Sequence, residues 1–225
     1  MLDDNNFRKK KMVIFLMLLC IQISASVCHA QVNDWNNYLS KAWVRNIVVD
    51  GDKLYLGTDG GLAIYDKNTG RCQFLDRTNG LADNNIVGLA HHNGKWWIGG
   101  KDTGMSIYDE NSLQNWQFPF ALQSCFAFDD ALDKVYIGAI HDIYILKDNY
   151  YTVYTPDPKA DMHPYPAIQS LVLDKNGTLW FGGFTFGFLS SNGNTTLLNC
   201  GASEVNNIII DDKDNKWLAT NRGLI

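Results

Sequence analysis

Along most of the chain, short apolar runs alternate with clusters of Asp, Asn and Gly, and the alternation itself recurs. The runs at 44–49, 86–90, 125–128, 168–173 and 205–210 are followed by the polar turns 50–52, 91–94, 129–133, 174–177 and 211–215. Runs of this length bounded by such turns predict β-strands, and Asp, Asn and Gly supply the positive-φ or side-chain-capped positions of tight hairpins. After each turn comes an aromatic, then an apolar residue, then Gly or Ala: Tyr55-Leu56-Gly57, Trp97-Ile98-Gly99, Tyr136-Ile137-Gly138, Trp180-Phe181-Gly182 and Trp217-Leu218-Ala219. The aromatic recurs at intervals of 42, 39, 44 and 37, a drift that fits loops of variable length.

A third strand is predicted at 61–66, 105–109 and 142–146, and a fourth at 72–75, 115–118 and 152–154. Four short antiparallel strands in a unit of about 40 residues describe the blade of a β-propeller, and no helical period competes with them. The expected fold is therefore all-β, with four four-stranded blades and a partial fifth, repeating near 43–82, 83–121, 122–166, 167–201 and 202–225. The Gly after the second strand is expected to face a neighbouring blade or a turn too closely for a side chain. The aromatic two positions earlier is read as packing between blades rather than as a carbohydrate platform. The chain stops inside the third strand of the fifth copy, which points to an open arc from a longer protein. The alternative is that 34–39, which resembles a fourth strand, closes a ring.

The first thirty residues follow another pattern. Arg8, Lys9, Lys10 and Lys11 precede an apolar run to Ile23 and a small, polar stretch ending Cys28-His29-Ala30, the form of a signal peptide cut before Gln31. Twelve apolar residues fall short of the roughly 20 that span a bilayer, so no membrane span is expected in the mature chain. Without the leader, 19 basic and 24 acidic residues become 15 and 22, a formal charge of −7, which argues against a nucleic-acid partner. Cys72, Cys125 and Cys200 remain, an odd number spaced too widely for a zinc site, and they read as small apolar residues in strands.

The segments Asp174-Lys175-Asn176-Gly177-Thr178-Leu179-Trp180-Phe181-Gly182 and Gly60-Gly61-Leu62-Ala63-Ile64-Tyr65-Asp66 resemble the two-component regulator propeller repeat, as does the linker Thr78 to Ile86. The resemblance covers about 43–225, and the third copy departs from it with Ala139-Ile140-His141. It implies an exported propeller, periplasmic or extracellular, either the sensing part of a two-component system or a scaffold in a secretion or surface assembly.

In such a propeller, ligands dock on loops joining second to third and fourth to first strands. Those loops carry Asp59, Lys101, Asp102, His141, Phe184, Phe186, Asn221 and Arg222, with Asn79 and Asn84 in a linker. Their unlike chemistry suits recognition of a glycan, small molecule or partner protein. His91 and His92, adjacent in a turn, point to opposite sides and give no metal pair. No nucleophile elbow or phosphate loop appears, so neither an enzyme nor a cofactor is expected.

Overall fold

Each polar turn closes a hairpin in the computed structural model of the chain, which describes residues 43–102, 104–109, 111–118, 122–156 and 168–225, with 122–124 by backbone alone. The leader, 34–39 and residues 157–167, a stretch with three prolines between blades 3 and 4, lie outside the described residues.

Blade 1 comprises β1 (Val44–Asp50), β2 (Lys53–Thr58), β3 (Gly61–Asp66) and β4 (Cys72–Leu75), and blade 2 comprises β5 (Ile86–His92), β6 (Lys95–Gly100), β7 (Met105–Asp109) and β8 (Ser112–Trp116). Blade 3 is β9 (Leu122–Asp129), β10 (Lys134–Ala139), β11 (Ile143–Lys147) and β12 (Tyr150–Tyr154). Blade 4 is β13 (Ile168–Leu173), β14 (Leu179–Gly183), β15 (Phe186–Leu189) and β16 (Thr195–Leu198). The last copy, expected as part of a blade, forms a sheet of its own from β17 (Val205–Ile210), β18 (Lys216–Thr220) and β19 (Gly223–Leu224). The described residues thus hold five antiparallel blades in chain order, four of four strands and one of three.

Three strands start earlier than the sequence pattern suggests, β8, β9 and β12, which begin at Ser112, Leu122 and Tyr150 rather than at 115, 125 and 152. β8 begins at Ser112 rather than Asn115 because the Asp109 carboxylate accepts bonds from the Asn111 and Ser112 amides at 2.8 and 2.7 Å and turns the chain at once. Phe118, expected inside that strand, lies beyond it and packs on Tyr144 of blade 3, with ring centres 4.7 Å apart.

A β-bulge recurs near the start of the first strand. Val44 pairs Thr58 but Asn46 pairs Gly57, and the same one-residue shift separates Ile86 from Gly88, Ile168 from Ser170 and Val205 from Asn207. It sets Asn46, Gly88, Ser170 and Asn207 at one structural position.

First strands pack on one another along the chain, β1 on β5, β5 on β9, β9 on β13 and β13 on β17. The recurring Gly faces the next blade at this seam. A Cβ on Gly57 would lie 2.9 Å from Ile86 Cγ2, one on Gly138 3.1 Å from Ile168 Cγ2 and, within its own blade, 2.2 Å from Cys125 Sγ, and one on Gly182 2.8 Å from Val205 Cγ1. Ala219 occupies the same position in blade 5. The aromatics fill the seams, as Tyr55 stacks on Trp96 at 3.5 Å and Trp97 meets Phe128 edge-on at 5.5 Å. At the outer faces the pattern loses its cover: Ile47 is 63% exposed although its equivalents Leu89, Leu171 and Ile208 are 8%, 7% and 3% exposed. Ile209, on the forward face of blade 5, is 59% exposed.

Candidate functional site

In blades 1, 2 and 5 the loop after the second strand is held by its own blade. Asp59, Lys101 and Asn221 donate backbone bonds to the carbonyls of Trp43, Asn85 and Glu204, at 3.3, 2.9 and 3.2 Å, so each loop is tied to the residue that opens its blade. In blades 1 and 5 a threonine tightens the turn. Thr58 Oγ1 donates to the Gly61 carbonyl at 2.8 Å and accepts from the Gly60 amide at 3.1 Å, and Thr220 does the same with Gly223 and Arg222 at 2.7 and 3.1 Å. The repeat therefore builds a set of loops at one end of the blades, with side chains free to differ.

In blade 2 the buried Asp83 organises the loop. Its carboxylate accepts from the Asn85 amide at 3.0 Å and from the Asp102 amide at 2.7 Å, and a Cβ on Gly100 would fall 2.4 Å from Asp83 Cβ. Lys101 and Asp102 are exposed on this support. Asn221 donates from its side chain to Ser203 Oγ and Arg222 from Nη1 to the Gly201 carbonyl, at 2.7 and 2.8 Å, joining both to the linker that enters blade 5. His141 is partly buried beside Asp142, whose carboxylate accepts from Thr155 Oγ1 at 2.5 Å. Phe184 stands exposed, whereas Phe186 packs on the cluster of Val205, Ile208 and Leu218. Asn79 and Asn84 spend their amide oxygens inside the linker, on the Asp76 and Arg77 amides at 3.1 and 2.8 Å.

At the opposite, hairpin end two clefts open that the repeat pattern did not signal. One, of 420 Å³, is lined by Lys53, Tyr55, Asp66, Arg71 and Tyr108. The other, of 230 Å³, lies between blades 2 and 3 among His92, Lys95, Trp97, Phe128 and Asp130. The two adjacent histidines serve different seams. His91 stacks on Trp96 at 4.4 Å and faces Asp50 of blade 1, while His92 stacks on Phe128 of blade 3 at 4.1 Å and meets Asp130 at 2.8 Å. That His92 contact holds the Asp130 carboxyl below the usual range. Cys125 is shut in, and burial pushes its thiol up to about 12. Among the described residues no three His, Cys, Asp or Glu side chains gather to hold a metal, and no helix is long and apolar enough to cross a membrane.

Residues 164–185, around the opening hairpin of blade 4, match the two component regulator propeller repeat. Among solved structures, the chain resembles the extracellular domain ascribed to a hybrid two component system of B. thetaiotaomicron, with a TM-score of 0.66, 23% identity and coverage of 80% of this chain and 26% of that one. A second domain of this description from the same organism gives 0.64, 19%, 80% and 26%. A gluconolactonase from Xanthomonas campestris gives 0.60, 14%, 81% and 71%. The chain thus spans about a quarter of the length of the two extracellular domains, and at these identities the likeness is one of fold. Comparison with curated proteins returns no match.

Proposed function

Because the chain carries the two component regulator propeller repeat, we propose that it is a non-enzymatic sensing module, exported behind the leader at 1–30. It recognises a glycan, a small molecule or a partner protein through the loops that follow its second strands. The observation that carries this reading is a contrast in the loops: in blades 1, 2 and 5 the backbone is fixed by a recurring bond to the residue that opens the blade, yet the exposed side chains across the loops are Lys101, Asp102, Phe184, Asn221 and Arg222. A recurring frame bearing unlike charges and an exposed ring is the form of a recognition surface. The likeness to extracellular domains of two component systems supports the sensing role.

A saccharide panel read by thermal shift tests the proposal. At least one saccharide is expected to raise the midpoint, and Asp102→Ala with Arg222→Ala to weaken its binding about tenfold or more. No response to any saccharide or small molecule favours the scaffold reading. Hydrolysis of gluconolactone by the protein above the uncatalysed rate would replace the binding reading with an enzymatic one.

A further inference from the structure

Three side-chain oxygens near the loop end of blades 1 and 2, Asn46 Oδ1, Asp59 Oδ1 and Asn85 Oδ1, are closed off from solvent and have no hydrogen-bond partner. Buried acceptors are almost always satisfied, so three along one seam point to a partner from outside the chain. Asn46 stands at the bulge of β1, its Oδ1 3.4 Å from the point where a Cβ on Gly57 would lie. Ile86 Cγ2 reaches within 2.9 Å of the same point, which sets Asn85, its chain neighbour, at this seam. Asp59 follows β2 and is bonded through its amide to Trp43, one residue ahead of β1.

The seam between blades 4 and 5 shows what these positions do when they are filled from within. Ser170 Oγ, at the bulge, bonds Asn207 Oδ1 at 3.1 Å, and Glu204, the counterpart of Asn85, accepts from Gln169 Nε2 at 2.6 Å. Between blades 1 and 2 the counterpart of Asn207 is Gly88, which has no side chain to offer, and that of Gln169 is Arg45, which is exposed. The acceptors are therefore left over because their partners are missing.

We propose that this seam holds a hard cation of calcium type, bound by Asn46, Asp59 and Asn85. A single water molecule has two hydrogens to donate and leaves one of the three acceptors unsatisfied, and no number of waters neutralises the carboxylate charge. A cation satisfies all three, and amide and carboxylate oxygens are the donors that calcium selects. The site is separate from recognition by Lys101, Asp102, Asn221 and Arg222, and does not depend on what those residues bind.

The test is a thermal-shift titration of chelator-treated protein with CaCl2, MgCl2 and NaCl. Millimolar calcium is expected to raise the midpoint by roughly 2–4 °C, with a smaller response to the other two ions. Asp59→Asn abolishes the response. Gly88→Ser, which gives Asn46 the partner that Ser170 gives Asn207, also abolishes it while raising the midpoint in ion-free buffer; this second variant decides the matter if the first does not fold. No response of the wild-type protein to any of the three ions, as for a seam filled by water, overturns the site. A calcium response that persists in both variants overturns it equally.

Discussion

The seams between blades 4 and 5 and between blades 1 and 2 share one backbone plan and differ in how their polar groups are satisfied. In the former, Gln169 meets Glu204, Ser170 meets Asn207, and Lys216 lies over the Trp180 ring at 5.1 Å and 3.6 Å from Asp174. In the latter, Tyr55 and Trp96 stack closely, yet Asn46 and Asn85 keep unpaired oxygens. The same contrast appears at the hairpin end. Trp180 and Trp217 donate to Asp174 and Asp211 of their own turns at 3.0 and 2.9 Å, whereas Trp97, behind the short turn Asn93-Gly94, has a buried ring nitrogen with no partner. The repeat secures strands and apolar seams in every copy, and the bulge in four of them, whereas the polar bonds are settled copy by copy.

The sharpest way to break this comparison is to crowd a seam. Gly182→Val, whose Cβ meets Val205 at 2.8 Å, is expected to cost about 3 kcal/mol or more in denaturant unfolding, while Ala219→Val, at the same repeat position in blade 5, costs less than about 1 kcal/mol. Next in size is the turn carboxylate of blade 4. Asp174→Ala removes the acceptor of Trp180 Nε1 and of the Asn176 and Thr178 amides, for an expected loss of about 2–3 kcal/mol, whereas His92→Ala in blade 2 costs less, since Trp97 does not depend on it.

Acid sharpens the same contrast. Burial pushes the Asp174 carboxyl up, but bonds from Trp180, Thr178 and Asn176 outweigh it and leave the group below its ordinary range. The Asn215 and Trp217 side chains bring Asp211 from 3.8 to about 2. Carboxyls depressed in the folded state stabilise it fully above their ordinary value and lose that contribution as pH falls through the folded value. The thermal midpoint is therefore expected to fall between about pH 4 and pH 2, and Asp211→Asn to flatten that fall. The smallest difference lies at the bulges: Asn207→Ala costs about 1 kcal/mol by stripping Ser170 of a partner, and Asn46→Ala is nearly neutral in cation-free buffer.

How far the sequence discloses this molecule follows from the range of each interaction. Strands, hairpins and the role of Gly57, Gly138 and Gly182 were legible because short apolar runs, turn residues and a recurring small residue are local signals. The early start of β8 was not, since it turns on one carboxylate, Asp109, capturing two amides. Of the candidate loop residues, Lys101, Asp102, Phe184, Asn221 and Arg222 stand exposed, while Phe186 is drawn into the cluster around Val205. Its inward turn depends on a neighbour in the next blade, which no window of sequence around it contains. Polar pairs such as Ser170 with Asn207, and the hairpin-end clefts, join residues about one repeat apart and were invisible for the same reason.

The most direct measurement is an amide chemical-shift map of the protein titrated with the saccharide that gives the largest thermal shift. Recognition by the loops that break the repeat predicts changes centred on Lys101, Asp102, His141, Phe184, Asn221 and Arg222, with the hairpin turns at the other end of the blades unmoved. Changes confined to His92–Lys95 and Asp129–Lys134, around the cleft between blades 2 and 3, would contradict it.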